Sequence, residues 1–443
     1  MQTVITNTSY AKTVQLLKDE YENISSEGSF FAIVRTEYDD KGNVVHDFLD
    51  VINAAVELGY EYVNTIVYPS PVVQKVSFLD NVKYVVWFCK KRSNVKFIKD
   101  NIREKHIWKD VEWGKREKNY NPKGKDPGNV WIPTKDDGKA NITEHIMLGD
   151  EGVINRLLAM SDCGDDCLLV EDDNVIMNST FEIDTTRLVS SYLSKSKVIF
   201  KSSEYMTDVD DLSVKLVVTS PPYWNLKDYF KDGQIGQESY ETYLARMKTV
   251  WQQCYDKLSE DGSLWININI RVQNGKVITI PHDFVEICRE IGFYYKGIII
   301  WHKSSGIPTG EKNIVDRHEY VMIFSKKEGF GIDYSVLSEF SDYENNRING
   351  CAFWNINRKA GSVGKKYIHP AIYPNELVSR IVKSTTAIGE TILDPFLGSG
   401  TSIIAAEINK RFCVGYEYNE GFEELIKSRF DMEIPGAEIG FIK

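Results

Sequence analysis

Residues 390–419, "ETILDPFLGSGTSIIAAEINKRFCVGYEYN", constrain the fold more than any other stretch of this chain. Residues 391–393 have the apolar character of a short strand, residues 394–400 contain turn formers, and residues 401–409 show the apolar period of a helix. A second apolar run, "FCVGYE", follows and ends at Glu417. A strand, a tight turn, a helix and a strand in succession predict a β–α–β unit, and with it an α/β fold.

The turn of this unit has the composition of a ligand-binding loop. Gly398 and Gly400 let the backbone approach a ligand, and Glu417, at the end of the next strand, can accept hydrogen bonds from ribose hydroxyls. The third glycine of a dinucleotide fingerprint is absent. Asp394 would repel a pyrophosphate and suits a ligand with a cationic centre, such as S-adenosylmethionine. An ordinary tight turn before a helix is the alternative.

A second stretch, "VVTSPPYWNL" (217–226), ends a strand-like run with unusual chemistry. Pro221 and Pro222 cannot continue a hydrogen-bonded ladder or begin a helix interior. The chain therefore leaves the sheet rigidly and carries the hydroxyl of Ser220 and the ring of Tyr223 at the strand end.

The N-terminal part of the chain resembles the C-terminal part in three stretches that keep their order. The matched pairs are "GSFFAIVRT" (28–36) with "GSLWININI" (262–270), "HDFLDVINAAVELGYEYVNTIVYP" (46–69) with "HDFVEICREIGFYYKGIIIWH" (282–302), and "KYVVWFCKK" (83–91) with "EYVMIFSKK" (319–327). Each copy predicts a helix, a strand, a helix and a hairpin of two apolar strands. Duplication explains this order better than chance similarity of two generic units.

Only the second copy carries the two special turns. The first copy continues into "GDDCLLVEDDNV", which has no glycine loop, and it has no counterpart of the proline-tyrosine segment. We therefore predict an inert domain over 1–175 and a catalytic domain over 190–443.

Composition limits the remaining possibilities. No apolar run approaches the roughly 18 residues of a membrane span, and "MQTVITNTSYAK" has no apolar signal region, so we expect a cytosolic enzyme. Among the scattered cysteines only Cys163 and Cys167 lie close together, which predicts no zinc site.

Charge gives a mixed indication about partners. The formal net charge of −11 argues mildly against a polyanion, because phosphate contacts need Lys and Arg. Local charge differs, since Lys303, Arg317, Arg358 and Lys359 lie in glycine-containing loops. Such loops are either solvated surface or contacts to a nucleic acid.

Three motifs together, "TSPPYW" (219–224), "HPAIYPNEL" (369–377) and "DPFLGSGT" (394–401), resemble the amino-methyltransferases of DNA. These enzymes transfer methyl from S-adenosylmethionine to the exocyclic N4 amine of cytosine or N6 amine of adenine. The motif order is similar to that of the β group, and the resemblance covers about 200–430. It implies a Rossmann-like S-adenosylmethionine-dependent methyltransferase fold, here in two tandem copies, with the two turns at adjacent strand ends.

The resemblance also implies roles for residues at the matched positions. Ser220, Pro221, Pro222 and Tyr223 would hold the target amine of a base flipped out of the duplex, and Trp224 would wall the pocket. The positions that resemble the cofactor site are Asp394, Pro395, Phe396, Gly398, Ser399, Gly400, Thr401, Glu417, His369 and Pro370. A helix-entry role without ligand contact is the alternative for the histidine.

The first motif suits chemistry on an exocyclic amine. Such an amine is a poor nucleophile because its lone pair is delocalised into the ring, and acceptors placed around its N–H bonds favour a pyramidal nitrogen. The Ser220 hydroxyl and the Pro221 carbonyl are suitable acceptors. Within the family a serine here resembles N4 enzymes, whereas Asp or Asn is usual in N6 enzymes. We therefore predict cytosine N4, with adenine N6 as the alternative.

The implied partner is double-stranded DNA, recognised through loops around 303–317 and 328–368. We expect a monomer that acts as a pseudo-dimer through its two copies, without membrane contact. It would belong to a restriction-modification or related system in a bacterial or archaeal cytoplasm, and would be nucleoid-associated when bound to DNA. The absence of a Pro-Cys dipeptide disfavours C5-cytosine methylation. The same residues leave room for a non-catalytic DNA-binding module and for an RNA or small-molecule methyltransferase.

Overall fold

A computed structural model gives the conformation of most of the chain. The described residues are 2–70, 77, 79–104, 123–132, 148–164, 166–172, 195–226, 231–303, 314–329, 331–333, 336, 352–357, 362–363, 367–368 and 373–443, with backbone only at 226, 362–363 and 367–368. Their strands form two main sheets, each flanked by helices.

The N-terminal half contains a five-stranded sheet in the order β5-β6-β2-β1-β7 and a small β3–β4 hairpin. Its elements are β1 (Thr3–Asn7), α1 (Tyr10–Glu20), β2 (Ser29–Arg35), β3 (Glu37–Tyr38), β4 (Val44–His46), α2 (Phe48–Glu57), β5 (Glu61–Pro69), β6 (Val82–Cys89), a 3₁₀ turn at Lys99–Ile102, α3 (Gly149–Ser161) and β7 (Cys167–Glu171). Strand β1 runs parallel to β2 and β7, whereas β6 is antiparallel to β2 and β5.

The C-terminal half contains a nine-stranded sheet in the order β15-β13-β14-β10-β9-β18-β19-β8-β20 and two small hairpins, β11–β12 and β16–β17. Its strands are β8 (Lys197–Ile199), β9 (Val214–Thr219), β10 (Leu258–Ile268), β11 (Arg271–Gln273), β12 (Lys276–Ile278), β13 (Tyr294–His302), β14 (His318–Ser325), β15 (Phe353–Asn355), β16 (Ser362–Val363), β17 (Tyr367–Ile368), β18 (Thr391–Asp394), β19 (Phe412–Tyr416) and β20 (Gly440–Ile442). Its helices are α4 (Tyr240–Lys257), α5 (Ile280–Ile291), α6 (Asn375–Thr385), α7 (Thr401–Ile408) and α8 (Glu423–Glu433), with 3₁₀ turns at Trp224–Leu226 and Glu420–Phe422.

Local sequence explains where these elements begin and end. Helix α2 starts with a capping box, because the Asp47 side chain accepts from the backbone of the first turn and Asp50 bonds back to the cap. Helix α5 carries a proline in its first turn and ends at Gly292, whose φ of 115° is left-handed. The central strands are apolar on both faces because helices cover both sides of the sheet.

The predicted arrangement of the two turns is confirmed. Strands β9 and β18 are parallel neighbours, with Leu216 opposite Ile392 and Val217 opposite Leu393. Their C-terminal ends therefore lie side by side, and the segments that follow them leave the sheet at the same edge. The fold is a Rossmann-like α/β fold with an antiparallel strand, β14, between β10 and β13.

The two sheets share an order of strands. The N-terminal order β5-β6-β2-β1-β7 matches β13-β14-β10-β9-β18, with the same parallel and antiparallel pairings. Even the irregularity recurs, because the register of β5 shifts between Tyr62 and Asn64 and that of β13 between Tyr295 and Gly297. A small hairpin also follows the same strand in each half: β3–β4 follows β2, and β11–β12 follows β10.

The two halves pack against each other through matched elements. Helix α2 contacts α5, β4 contacts β13, and β12 contacts β5. The Tyr295 hydroxyl donates to Asp47 Oδ2 over 2.9 Å, and the rings of Phe48 and Tyr320 lie 5.3 Å apart. One apolar cluster runs through both halves, so the predicted domains share a core. None of the described helices is long and apolar enough to cross a membrane.

Candidate active site

A cavity of about 840 Å³, open to solvent, lies at the C-terminal edge of the nine-stranded sheet. Ser220 and Pro222 line it from the end of β9, and Phe396 to Ser399 line it from the turn after β18. Glu417 and Asn419 complete it from the end of β19. Ligands of open α/β sheets bind at this edge, outside the carboxyl ends of the strands, so the cavity lies where a cofactor site is expected.

Asp394 supports the glycine turn from behind this cavity. Its carboxylate is fully buried and accepts hydrogen bonds from Thr219 Oγ1 at 2.7 Å, Phe396 N at 3.0 Å and Tyr373 Oη at 3.3 Å, as well as from Ser402. Burial raises the pKa of Asp394, although these donors oppose the shift. The carboxylate oxygens thus face the donors that order the turn, and a contact with the cofactor stays a prediction.

Glu417 does face the cavity, as its place in the sequence suggested. Its Oε2 accepts from Gly398 N at 2.8 Å and its Oε1 from Asn419 N at 2.7 Å. Burial raises the pKa of Glu417 to about 7, against the opposing effect of these backbone donors. The carboxylate thus ties the glycine turn to the end of the next strand and keeps lone pairs available to a ligand.

The turn has little room for larger residues. Gly400 has a left-handed φ of 83°, and a Cβ there would lie 3.2 Å from Ile426 Cγ2. Helix α7 begins directly after it, so the first backbone N–H groups of that helix point toward the turn. Gly400 and Thr401 shape the loop from behind, while Pro395, Phe396, Gly398 and Ser399 line the cavity.

Arg429 holds the same turn from helix α8, a role that no sequence pattern indicated. Its side chain is buried and its Nη1 donates to Ser399 O at 2.7 Å, Ser399 Oγ at 2.6 Å and Thr401 Oγ1 at 3.1 Å. Its Nη2 reaches Glu433 Oε1 at 3.4 Å. An arginine in an amphipathic helix is ordinarily a surface residue, so only the packing reveals this contact.

The proline-tyrosine segment is held in an uncommon conformation. Trp224 has a φ of 47°, which is left-handed backbone on a bulky residue. Its indole Nε1 donates to Glu238 O at 2.8 Å, and its ring packs against Tyr240 outside the cavity wall. The Tyr243 hydroxyl donates to Pro222 O at 2.7 Å, so several elements keep this segment in place.

Tyr223 is fixed at both its side chain and its backbone. Its hydroxyl donates to Glu319 Oε2 at 2.9 Å, and Asn267 Nδ2 donates to the same carboxylate oxygen at 2.7 Å. Arg271 Nη1 donates to the backbone carbonyl of Tyr223 at 2.8 Å. Sequence reasoning missed Glu319 and Asn267, although each is a polar residue inside an otherwise apolar strand.

The basic residues predicted to contact DNA have different environments. Lys303 is 3% exposed and its Nζ donates to Glu319 Oε1 at 2.6 Å. That pairing corrects the prediction of a phosphate contact, because the ammonium is buried and already bound. Arg317 is half-buried against the N-terminal half, where its Nη2 donates to Asp126 O at 3.2 Å and its backbone N–H to Asn129 Oδ1 at 2.8 Å.

Several predicted site residues lie outside the described residues. These are His369, Pro370, Arg358 and Lys359, together with much of the loops predicted to read DNA. Within the described ranges, no group of three or more His, Cys, Asp or Glu residues is placed to hold a metal ion. Cys163 and Cys167 are both free thiols.

Comparison with known proteins identifies the relatives of the C-terminal half. Residues 214–428 match the sequence model of a family described as DNA methylase. The chain is similar to the type II methyltransferase M.Cfr9I of Citrobacter freundii, with 31% identity over 254 residues, 50% of this chain and 82% of that protein. It is also 29% identical over 280 residues to the type II methyltransferase M.SmaI of Serratia marcescens, 55% of this chain and 94% of that protein. Among solved structures, the TTHA0409 protein of Thermus thermophilus aligns with 28% identity over 56% of this chain and 99% of that one, at a TM-score of 0.43.

Proposed function

Because this chain belongs to the DNA methylase family, we propose that it methylates the N4 amine of cytosine in double-stranded DNA. The chain is a DNA amino-methyltransferase that uses S-adenosylmethionine, and its relatives are type II methyltransferases. The choice of cytosine N4 and the roles of individual residues are our proposal. We place the reaction in the cytoplasm, within a restriction-modification system.

One observation carries the proposal: the ends of two neighbouring parallel strands supply both motifs to a single cavity. Ser220 and Pro222 line it from the end of β9, and Gly398 and Glu417 line it from the ends of β18 and β19. A methyl donor bound at the glycine turn would lie beside an amine held at the proline-tyrosine segment. This proximity converts a bimolecular transfer into a step between positioned groups.

The residues of the cavity fit the proposed cofactor. Glu417 offers a carboxylate for ribose hydroxyls, and Gly398 and Ser399 let the backbone approach the ligand. S-adenosylmethionine supplies an electrophilic methyl group on a sulfonium when it is bound. Its net charge also explains why a buried acid behind the turn, Asp394, is tolerated where a pyrophosphate would be repelled.

The chain's own groups would prepare the amine. Ser220 Oγ and the Pro221 carbonyl would accept its N–H bonds, so that the nitrogen lone pair turns toward the methyl group. Tyr223 would stack on the flipped base, because its ring is half-buried and its hydroxyl is anchored. The rigid prolines keep the acceptor directions fixed before the base arrives.

The proposal of cytosine rests on Ser220, which is short and uncharged and can both donate and accept. A serine hydroxyl adapts to the smaller pyrimidine ring, whereas the family's N6 enzymes usually carry Asp or Asn at this place. Adenine N6 is the second candidate, because the two amines share the same amidine-like geometry.

Mass spectrometry of nucleosides from DNA methylated by the purified chain tests this choice directly. We expect N4-methylcytosine, and N6-methyladenine alone would overturn the choice of base. Ser220→Ala should slow transfer by roughly tenfold to a hundredfold while cofactor affinity stays within about twofold, since a lost acceptor acts on the transition state. Asn7→Ala is the matched control, because Asn7 follows Thr6 at the end of β1 and Ser220 follows the matched residue, Thr219, at the end of β9. A chain that binds DNA but never binds S-adenosylmethionine would instead be a non-catalytic DNA-binding module.

We also propose that the N-terminal half acts as a built-in second subunit without a cofactor site. The matched strand order supports a duplication, and the reciprocal contacts of β4 with β13 and β12 with β5 are those of a two-fold interface. Light scattering of the complex with a short duplex should give one chain per DNA. Two chains per duplex would contradict this proposal.

A further inference from the structure

A cluster of three polar side chains surrounds the hydroxyl of Tyr223. Glu319 lies at its centre, with Oε2 accepting from Tyr223 Oη at 2.9 Å and from Asn267 Nδ2 at 2.7 Å. Its Oε1 accepts from Lys303 Nζ at 2.6 Å. Asn267 Nδ2 also lies 3.3 Å from Tyr223 Oη, so every member touches at least one other.

This cluster is not expected to contribute much to the stability of the fold. Lys303 and Asn267 are 3% and 5% exposed, and the Glu319 side chain that joins them is 21% exposed. Burial opposes ionisation of Glu319, but Lys303 and the hydrogen bonds hold the pKa of Glu319 below its ordinary value. Apolar residues of similar size often stabilise a protein as well as a buried ion pair does. The cluster therefore calls for an explanation other than stability.

The N-terminal half shows what the same positions contain without a proline-tyrosine segment. The pair Val34–Tyr84 in the N-terminal half matches the pair Ile268–Tyr320 in the C-terminal half. Asn267 and Glu319 immediately precede Ile268 and Tyr320, so their counterparts immediately precede Val34 and Tyr84. The N-terminal counterparts of Asn267, Lys303 and Glu319 are Ile33, Ser70 and Lys83. An apolar residue, a hydroxyl and a charge of opposite sign replace the three members.

Other features of the scaffold are kept in both halves. A tyrosine at the end of a helix packs against a left-handed glycine, and a lysine lies over its ring. These sets are Tyr21, Gly59 and Lys90 in one half and Tyr255, Gly292 and Lys326 in the other. Divergence at the cluster is thus selective, and the cluster occurs in the half that contains Tyr223.

The backbone of Tyr223 is held independently of its hydroxyl. Arg271 Nη1 donates to the Tyr223 carbonyl and to Asn225 Oδ1, at 2.8 Å and 3.1 Å. The next residue, Trp224, is fixed with a left-handed φ of 47°. With both ends restrained, the orientation of the ring is set before a base could stack on it.

We propose that Glu319, held by Lys303 and Asn267, is a positioning residue that fixes the ring of Tyr223 for stacking on the flipped target base. The inference rests on the proposed DNA methylation. Glu319 acts through the tyrosine hydroxyl and does not itself touch the cofactor cavity, whose wall excludes it.

A double-mutant cycle between Glu319→Gln and Tyr223→Phe tests this role on the full chain. Each single change should lower the rate of methyl transfer by about tenfold, the typical effect of one hydrogen bond to a charged group. The double variant should be no slower than either single variant, because both remove the same restraint. The KM for S-adenosylmethionine should stay within about twofold of the unaltered chain, since the cofactor cavity is untouched.

Lys83→Gln provides the matched control, because Lys83 occupies the corresponding position and its Nζ is bound to Asp150 Oδ2 at 2.6 Å. It should lower the melting temperature while leaving transfer within about twofold. Unchanged transfer in Glu319→Gln, or fully additive losses in the double variant, would overturn the positioning role. If Glu319→Gln fails to fold, Tyr223→Phe alone decides, and full activity would overturn it equally. No transfer to DNA by the unaltered chain would reject the proposed function instead.

Discussion

The two halves share one arrangement of strands, and they differ at the strand ends. In the C-terminal half the ends of β9 and β18 open onto a cavity. In the N-terminal half the polar groups near the strand ends bond to one another. Asp150 Oδ2 accepts from Lys83 Nζ at 2.6 Å and from Asn7 Nδ2 at 3.1 Å. The Tyr68 hydroxyl adds a third bond to Asp150, at 2.8 Å.

The residue after the matched leucine in β7 and in β18 shows which features the strand order requires and which only the ligand loop requires. Leu169 follows Leu168 in β7 as Asp394 follows Leu393 in β18, and each strand pairs with the matched neighbour. A leucine that is 44% exposed thus stands where the other half buries a carboxylate under its glycine turn. Strand order survives such a replacement because it depends on apolar pairing. The ligand loop does not survive it.

The largest expected effect comes from Gly400→Val, which combines a left-handed φ with contact against Ile426. We expect cofactor affinity to fall by at least about a hundredfold, because the turn must move away from its geometry. Isothermal calorimetry should give one S-adenosylmethionine per unaltered chain and none for the variant.

Gly164→Val is the control for this change. Gly164 has a φ of 55° in the N-terminal half, and a Cβ there meets no atom within 4 Å. Its affinity for the cofactor should be unchanged. Two molecules per unaltered chain would show that the N-terminal half also binds cofactor, and undiminished binding of a single molecule by Gly400→Val would contradict the role of the glycine turn.

An intermediate effect is expected from pH, through Glu417. Its pKa of about 7 in the free chain means that protonation competes with ribose hydroxyls for the carboxylate. Since binding favours the ionised form, affinity should be full above about pH 8 and fall up to about tenfold per unit below pH 7. Titrations from pH 8 to 6 measure this directly. Glu417→Gln should bind weakly and without that dependence, and a flat profile for the unaltered chain would contradict the assignment.

The smallest effect concerns the contact between the halves. Tyr295→Phe removes the hydroxyl that donates to Asp47 Oδ2, so a buried carboxylate oxygen loses a donor and unfolding free energy should fall by about 2 kcal/mol. Tyr62→Phe is the matched change at the equivalent bulge, where the hydroxyl bonds to Thr65 Oγ1 within its own half. It should cost about 1 kcal/mol. Chemical denaturation measures both, and a larger loss for Tyr62→Phe would show that the interface contributes little.

The local sequence pattern was sufficient to predict the helices, the strands and the two turns. The β–α–β unit at 390–419 was predictable because apolar periodicity and glycine both act within a few residues. The internal similarity predicted the helix, strand, helix and hairpin of each half for the same reason. Adjacent strand ends followed from the general rule that ligand loops leave a parallel sheet at one edge.

Tertiary structure decided which polar groups face the ligand and which face the scaffold. The sequence suggested a ligand contact for Asp394 and a phosphate contact for Lys303, and packing bonds the first to Thr219 and the second to Glu319. Glu319 lies 96 positions from Tyr223, so no local pattern could have joined them. Covalent geometry and hydrophobic period act along the chain, whereas the partner of a buried charge depends on which strands pair across the sheet.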